Sequence, residues 1–262
     1  MKTILDKIIA DKYKEVALKK SIVPISVLES STLFERETSS LAPALRASDT
    51  GIIAEFKRRS PSKAVLNQSA SVYDVATGYE NAGVCGMSVL TDGKYFGGSL
   101  DDVLLARASA KLPILRKEFI IDEYQIIEAK SHGADVILLI AAVLTREEIK
   151  TLSETAKSLG LDVLLEVHNL EELQKSIMPS LDMLGVNNRN LKTFEVNTDI
   201  SKELSNHIPD DFVKVSESGI SSVAAIKDLQ PFGYQGFLIG ENFMKTGNPG
   251  ESALDFINEL KK

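Results

Sequence analysis

The chain has 262 residues, 44% hydrophobic and 26% charged, an ordinary globular usage that excludes disordered, collagenous and low-complexity classes. Its formal net charge of −7 argues against a dedicated nucleic-acid binder, but a few placed cations suffice for one phosphate. The single cysteine, Cys85, excludes an internal disulfide and a cysteine-based zinc site.

Residues 1–48 read as a helical extension. Ile4, Leu5, Ile8 and Ile9 recur at helical spacing, Val16 and Leu18 follow, and lysines are expected to cover the other face. Pro24 and Pro43 punctuate this stretch, and no strand pattern precedes Gly51. Asp6, Asp11 and many lysines interrupt the start, which leaves no apolar signal-peptide core. The longest apolar run, Val136 to Leu144, is nine residues, against the ~20 of a membrane helix. A soluble cytoplasmic protein is expected.

From Gly51 short apolar runs alternate with amphipathic segments. Strands are predicted at Ile52–Phe56, Val84–Leu90, Pro113–Lys117, Val136–Ala141, Val163–Val167, Met183–Val186, Val213–Val215 and Phe237–Ile239. Helices are predicted between and after them, at Val72–Asn81, Leu100–Ser109, Glu123–Ser131, Arg146–Leu159, Leu170–Ile177, Ile200–Asn206, Ser222–Leu229 and Ser252–Leu260. Gly83, Gly133, Gly160 and Gly233 stand where a helix ends in a left-handed residue. Most strands are apolar on both faces, as in a buried parallel sheet. Eight β–α units in one domain, residues 1–262, match an α/β (β/α)8 TIM barrel with an N-terminal helical extension; a doubly wound open sheet is the runner-up.

Catalytic groups of such barrels sit at the carboxyl ends of the strands. Ionisable or amide residues end five runs here: Glu55 and Lys57, Lys117, Glu166 and His168, Asn187 and Arg189, and Glu217. For any one strand a structural ion pair is the simpler account. Three glutamates and two lysines at one rim are another matter, because each buried ion costs several kcal/mol unless paired. Such a cluster can supply general acids and bases. Strands 7 and 8 run into Ser218-Gly219 and Gly240-Glu241, positions that hold a phosphate on backbone N–H groups in many barrels. Each pair alone reads equally as a tight turn. His132 and His207 read as surface residues, and His168 as orienting its neighbour. Cys85 reads as a buried thiol, and the Ser60-Pro61-Ser62 loop as a solvent loop or a lid. No His, Asp and Glu set has metal spacing.

The stretch Glu55-Phe-Lys57-Arg-Arg-Ser60-Pro61-Ser62 resembles the signature of the indole-3-glycerol-phosphate synthase family of tryptophan biosynthesis. Six further segments are similar: Ser88 to Ser99, Leu115 to Ile120, Leu165 to His168, Gly185 to Leu191, Glu217 to Ile220 and Leu238 to Glu241. The resemblance implies a cofactor-free ring closure, decarboxylation and dehydration of 1-(2-carboxyphenylamino)-1-deoxy-D-ribulose 5-phosphate. It implies Lys117 as the acid of ring closure, with Lys57, Glu55 and Glu166 sharing the dehydration in an order left open. Asn187 and Glu217 would orient the substrate, and Arg189 and Lys57 would meet its carboxylate. Ser60, Ser218, Gly219, Gly240 and the backbone of Glu241 would hold the phosphate. Phe96, Pro61, Phe119 and Leu138 would wall the aromatic ring. The only partner expected is this small phosphorylated substrate, with no nucleic acid and no membrane, and the chain is expected to be a monomer.

Two positions depart from the family pattern. Ala64 stands where glycine is usual, which implies a stiffer loop, and Asn242 stands where serine is usual. Two rival readings stay open at this point. Phosphoribosylanthranilate isomerase would want a cysteine base near the end of strand 1. A non-catalytic phosphate-binding barrel would not need five charged strand ends.

Overall fold

The computed structural model describes every residue except Met1, Lys2, Ser62, Ala64 and Lys192. Three helices come first: α1 (Ile4–Ile22), α2 (Ile25–Glu29) and α3 (Leu41–Arg46). The chain then alternates: β1 (Ile52–Phe56), α4 (Val72–Ala82), β2 (Gly86–Leu90), α5 (Gly93–Phe96), α6 (Leu100–Ser109), β3 (Ile114–Lys117), α7 (Glu123–Ser131), β4 (Val136–Ile140) and α8 (Arg146–Ser158). It continues with β5 (Asp162–Val167), α9 (Leu170–Ser176), β6 (Met183–Asn187), α10 (Asp199–Ser205), β7 (Val213–Glu217), α11 (Val223–Leu229), β8 (Tyr234–Ile239), α12 (Glu241–Met244) and α13 (Pro249–Leu260). The strands close in the order β1 to β8, with β8 returning parallel to β1, so the open sheet is ruled out. No helix among the described residues is long and apolar enough to cross a membrane.

Local chemistry sets these boundaries. Ser99 and Thr145 open α6 and α8 with reciprocal capping boxes to Asp102 and Glu148. Gly83, Gly133, Gly160 and Gly233 all have positive φ at helix ends, where a Cβ would be strained. Alternate strand residues face opposite sides. Ile53, Leu115, Leu164 and Val215 fill the barrel interior, while Ile52, Ala54 and Leu165 pack against the surrounding helices.

Several expectations change. β8 begins at Tyr234, three residues before the predicted start, because Tyr234 pairs with Lys214 and Gly236 with Val215 of β7, with a register shift between them. β7 runs on to Glu217, paired with Asn187. β2 starts at Gly86, so Cys85 precedes it and is only partly buried. His132 is half-buried, not on the surface: its Nδ1 lies 2.7 Å from the Glu128 carbonyl and 2.9 Å from Ser131 Oγ. The lysines do not all cover an outer face of α1. Its buried stripe is Ile8, Lys12 and Val16, four apart, and Leu18 is exposed.

Candidate active site

The strands deliver their last residues to one end of the barrel, and the register fixes the neighbours. Lys117 stands beside Leu90, Glu166 beside Ile140, and Glu217 beside Asn187. Of the eight polar residues predicted at the strand ends, His168 does not line the cavity there, of about 430 Å³, but Glu55, Lys57, Lys117, Glu166, Asn187, Arg189 and Glu217 do. So do Ser60, Pro61, Phe96, Phe119, Leu138, Ser218, Gly219, Gly240 and Glu241. That volume suits a ligand of metabolite size.

Charge is tightly paired at the mouth. The Lys117 ammonium contacts Glu217 Oε2 and lies 3.5 Å from Glu166 Oε2. Across the mouth, Lys57 Nζ is 2.7 Å from Glu55 Oε1. The three glutamates are almost fully buried, whereas both lysines keep some exposure. Burial alone would lower the Lys117 pKa, but Glu217, Glu166 and Glu55 together outweigh it and raise it above the ordinary lysine value. Burial pushes Glu217 up to about 7, against Lys117, and the like charges of Glu166 and Glu55 add to the rise. Glu166 goes the other way. Burial opposes its ionisation, but Lys117, His168 and a hydrogen bond from Asn187 prevail and hold it below the ordinary carboxylate range. Two carboxylates thus share one ammonium, and Glu217 is the one that takes a proton first.

His168 does touch its neighbour. Its Nε2 is 3.4 Å from Glu166 Oε1, and its Nδ1 is 3.1 Å from Glu172 Oε2. Asn187 also accepts from the Arg189 backbone N–H at 3.0 Å, which fixes the chain leaving β6. The next residue, Asn188, is fully buried and turned away from the cavity; its Nδ2 donates to the Ser218 carbonyl at 3.1 Å. One asparagine of the pair therefore serves the cavity and the other pins the loop after β7.

In that loop Ser218 and Gly219 have φ of 66° and 79°. A Cβ on Gly219 would lie 2.5 Å from Val196 Cγ1. A Cβ on Gly240 would lie 2.5 Å from Glu55 Oε1. Both glycines are thus required by the protein's own packing, quite apart from any anion. Gly185 likewise leaves room for Glu217, whose Oε1 a Cβ there would meet at 2.5 Å. Opposite, the Phe96 and Phe119 rings stand 5.9 Å apart.

The loop after β1 lies over the cavity and not in open solvent: Ser60 and Pro61 line it, and Lys63 contacts Glu241. Ser62 and Ala64 fall outside the described residues. The two arginines of the signature point away. Arg58 pairs with Asp102 and stacks over Phe56, and Arg59 donates to the Gly93 and Lys94 carbonyls. Sequence reasoning missed the cavity residues Ile4, Leu5 and Ile8 of α1, and Leu191, Phe194 and Val196 after β6. Apolar residues in a polar loop were the available signal for the second group. No group of three or more His, Cys, Asp or Glu among the described residues is placed to hold a metal ion.

Residues 5–256 match the family described as indole-3-glycerol phosphate synthase. An indole-3-glycerol phosphate synthase of Bacteroides thetaiotaomicron is 49% identical over 261 residues, covering 100% of both chains. One from a Polaromonas species is 43% identical over 254 residues, 95% of this chain and 96% of the relative. The crystal structure of KGPDC from Streptococcus mutans superposes with a TM-score of 0.62 at 14% identity, covering 80% of this chain and 97% of that one. At that identity the likeness is one of fold alone.

Proposed function

This chain belongs to the indole-3-glycerol phosphate synthase family, and on that premise we propose a role for each group around its cavity. The family's members are carboxy-lyases of tryptophan biosynthesis. They convert 1-(2-carboxyphenylamino)-1-deoxy-D-ribulose 5-phosphate to indole-3-glycerol phosphate, carbon dioxide and water. Membership sets aside both rival readings, and Cys85 precedes β2 beside Ile52 at the start of β1, not at the end of β1 where the isomerase would want its base.

Lys117 is the acid of ring closure. The ring carbon that bears the carboxylate attacks the ketone carbon, and the ketone oxygen takes a proton from the ammonium. Carbon dioxide leaves, and its bonding electrons restore the aromatic ring. The new hydroxyl then departs as water, which needs one acid and one base. Lys57, Glu55 and Glu166 supply them. Asn187 and Glu217 orient the substrate, and Arg189 with Lys57 meets its carboxylate. Ser60, Ser218, Gly219, Gly240 and the Glu241 backbone take the phosphate, while Phe96, Pro61, Phe119 and Leu138 flank the aryl ring. Every step moves protons and carbon–carbon or carbon–oxygen electrons within the substrate, so the reaction calls for no cofactor.

The observation that supports this reading most is the Lys117 ammonium, held between Glu166 and Glu217 at the cavity floor. Incubation with the carboxyphenylamino ribulose phosphate should produce indole fluorescence; no product at micromolar enzyme would overturn it. We further take residues 1–262 as one domain with residues 1–48 as its extension, acting as a cytoplasmic monomer without nucleic-acid or membrane partners.

A further inference from the structure

Helix α1 belongs to no β–α unit, yet Ile4, Leu5 and Ile8 line the cavity. One turn beyond Ile8, on the same face, Lys12 is 2% exposed. Its ammonium lies 3.0 Å from Asp92, 3.1 Å from Glu118 and 2.8 Å from Glu15. A buried ammonium is tolerated only when paired this well. Each barrel carboxylate also fixes a second segment. Asp92 accepts from the Tyr95 N–H at 2.6 Å and so caps α5, which ends on Phe96. Glu118 accepts from the Phe119 N–H at 2.8 Å. Asp11, beside Lys12, accepts from Lys94 Nζ at 2.6 Å and from the Tyr95 hydroxyl at 2.5 Å, a separate tie between α1 and α5. In the closed strand order, β2 and β3 stand across the barrel from β6 and β7. The rim that α1 covers therefore lies away from the Ser218-Gly219 loop.

We propose that Lys12 is a positioning residue for the reaction: it locks α1 onto the Phe96–Phe119 wall, and so sets how tightly the aryl half of the substrate is held. The inference rests on the proposed placement of the aryl ring. It separates Lys12 from a merely stabilising residue, because the two halves of the substrate should respond differently.

The test uses the full chain and two competitive probes, 2-aminobenzoate for the aryl half and inorganic phosphate for the other. Lys12→Met should raise KM and the 2-aminobenzoate inhibition constant about tenfold, about 1.4 kcal/mol. The phosphate constant and kcat should stay within about twofold, since no group in contact with the reacting atoms is lost. Ile8→Ala should act in the same direction, about threefold, by opening the apolar wall. It decides the matter alone if Lys12→Met does not fold. A folded Lys12→Met with unchanged 2-aminobenzoate binding overturns the inference, as does equal weakening of both probes. So does an Ile8→Ala with wild-type constants. A wild type in which neither probe competes with substrate overturns the reading of the site itself, and is seen before any variant is made.

Discussion

Lys117 can give a proton to a ketone only if it still holds one when the substrate arrives. Glu217, Glu166 and Glu55 ensure that by raising its pKa against the pull of burial. Lys117→Met should lower kcat and kcat/KM together by ~10²-fold or more, since a donor that acts in the transition state is lost. It should still fold, because Glu217, already at about 7, can take up a proton in place of the missing ammonium. Lys117→Arg should not restore activity, as a guanidinium releases its proton too reluctantly. A Met variant with near wild-type kcat would transfer the role to Lys57. Glu166→Gln should also cost ~10²-fold, against an exposed control, Glu171→Gln, with none. The two carboxylates differ in their effect on stability. Glu217 has a folded pKa above its unfolded value, so its contribution is fully present below about 4.5 and is lost as pH rises through about 7. Glu217→Gln should therefore raise Tm by a few degrees at pH 8, with the gain vanishing toward pH 4. A gain that grows on acidification contradicts this assignment.

The turns that end the strands are where elements and chemistry meet. Gly240 has no positive φ, so its lack of a side chain serves proximity: Glu55 fills the place where a Cβ would go. Gly240→Ala should displace Glu55 from Lys57 and lower kcat, beyond any effect on phosphate affinity. Gly219→Ala should act mainly on KM, since it meets Val196 at the cavity edge and strains a left-handed turn. Gly247→Ala, with open space around the added methyl, is the neutral control. A kcat loss at Gly219 equal to that at Gly240 would show that both act through loop distortion. At this scale the sequence was readable where burial imposes a period. Eight apolar runs gave eight strands, and the ionisable or amide residues that end five of them marked the mouth. It was unreadable where polar residues turn inward through pairing. Lys12 looks like any surface lysine until Asp92 and Glu118, some 80 and 106 residues away, are placed beside it. Likewise Asn188 is indistinguishable from Asn187 until Ser218 and Ser216 claim it.

Taken whole, the molecule has two ends with different duties, and residues 1–48 serve both. At the catalytic end α1 lines the cavity. At the other end α3 closes the barrel: Leu41, Ala42 and Leu45 share one apolar cluster with Ile53, Val136 and Val213 of the interior. Aspartates at the amino ends of two strands hold it there. Asp162 Oδ2 accepts from Ser40 Oγ at 2.6 Å and from the Leu41 N–H at 2.8 Å, which caps α3. Asp135 accepts from the Ser39 N–H at 2.8 Å and binds Arg36 and Arg107. The helical periodicity of this segment was legible, but its docking was not, because the anchoring aspartates lie about a hundred residues on. In a barrel, the amino-terminal face carries stability and the carboxyl-terminal face chemistry. Leu45 is 1% exposed, so Leu45→Ala leaves a cavity and should destabilise by about 2–5 kcal/mol. For a chain of this size, Tm should fall by roughly 5–15 °C. Asp162→Ala should act in the same direction by stranding the N–H groups of Leu41 and Ala42. Both variants, assayed well below their melting temperatures, should keep wild-type kcat and KM per folded molecule, because no cavity residue moves. A Leu45→Ala enzyme that stays folded yet loses kcat would mean that the barrel floor transmits strain to the mouth, and the division of duties between the two ends would fail.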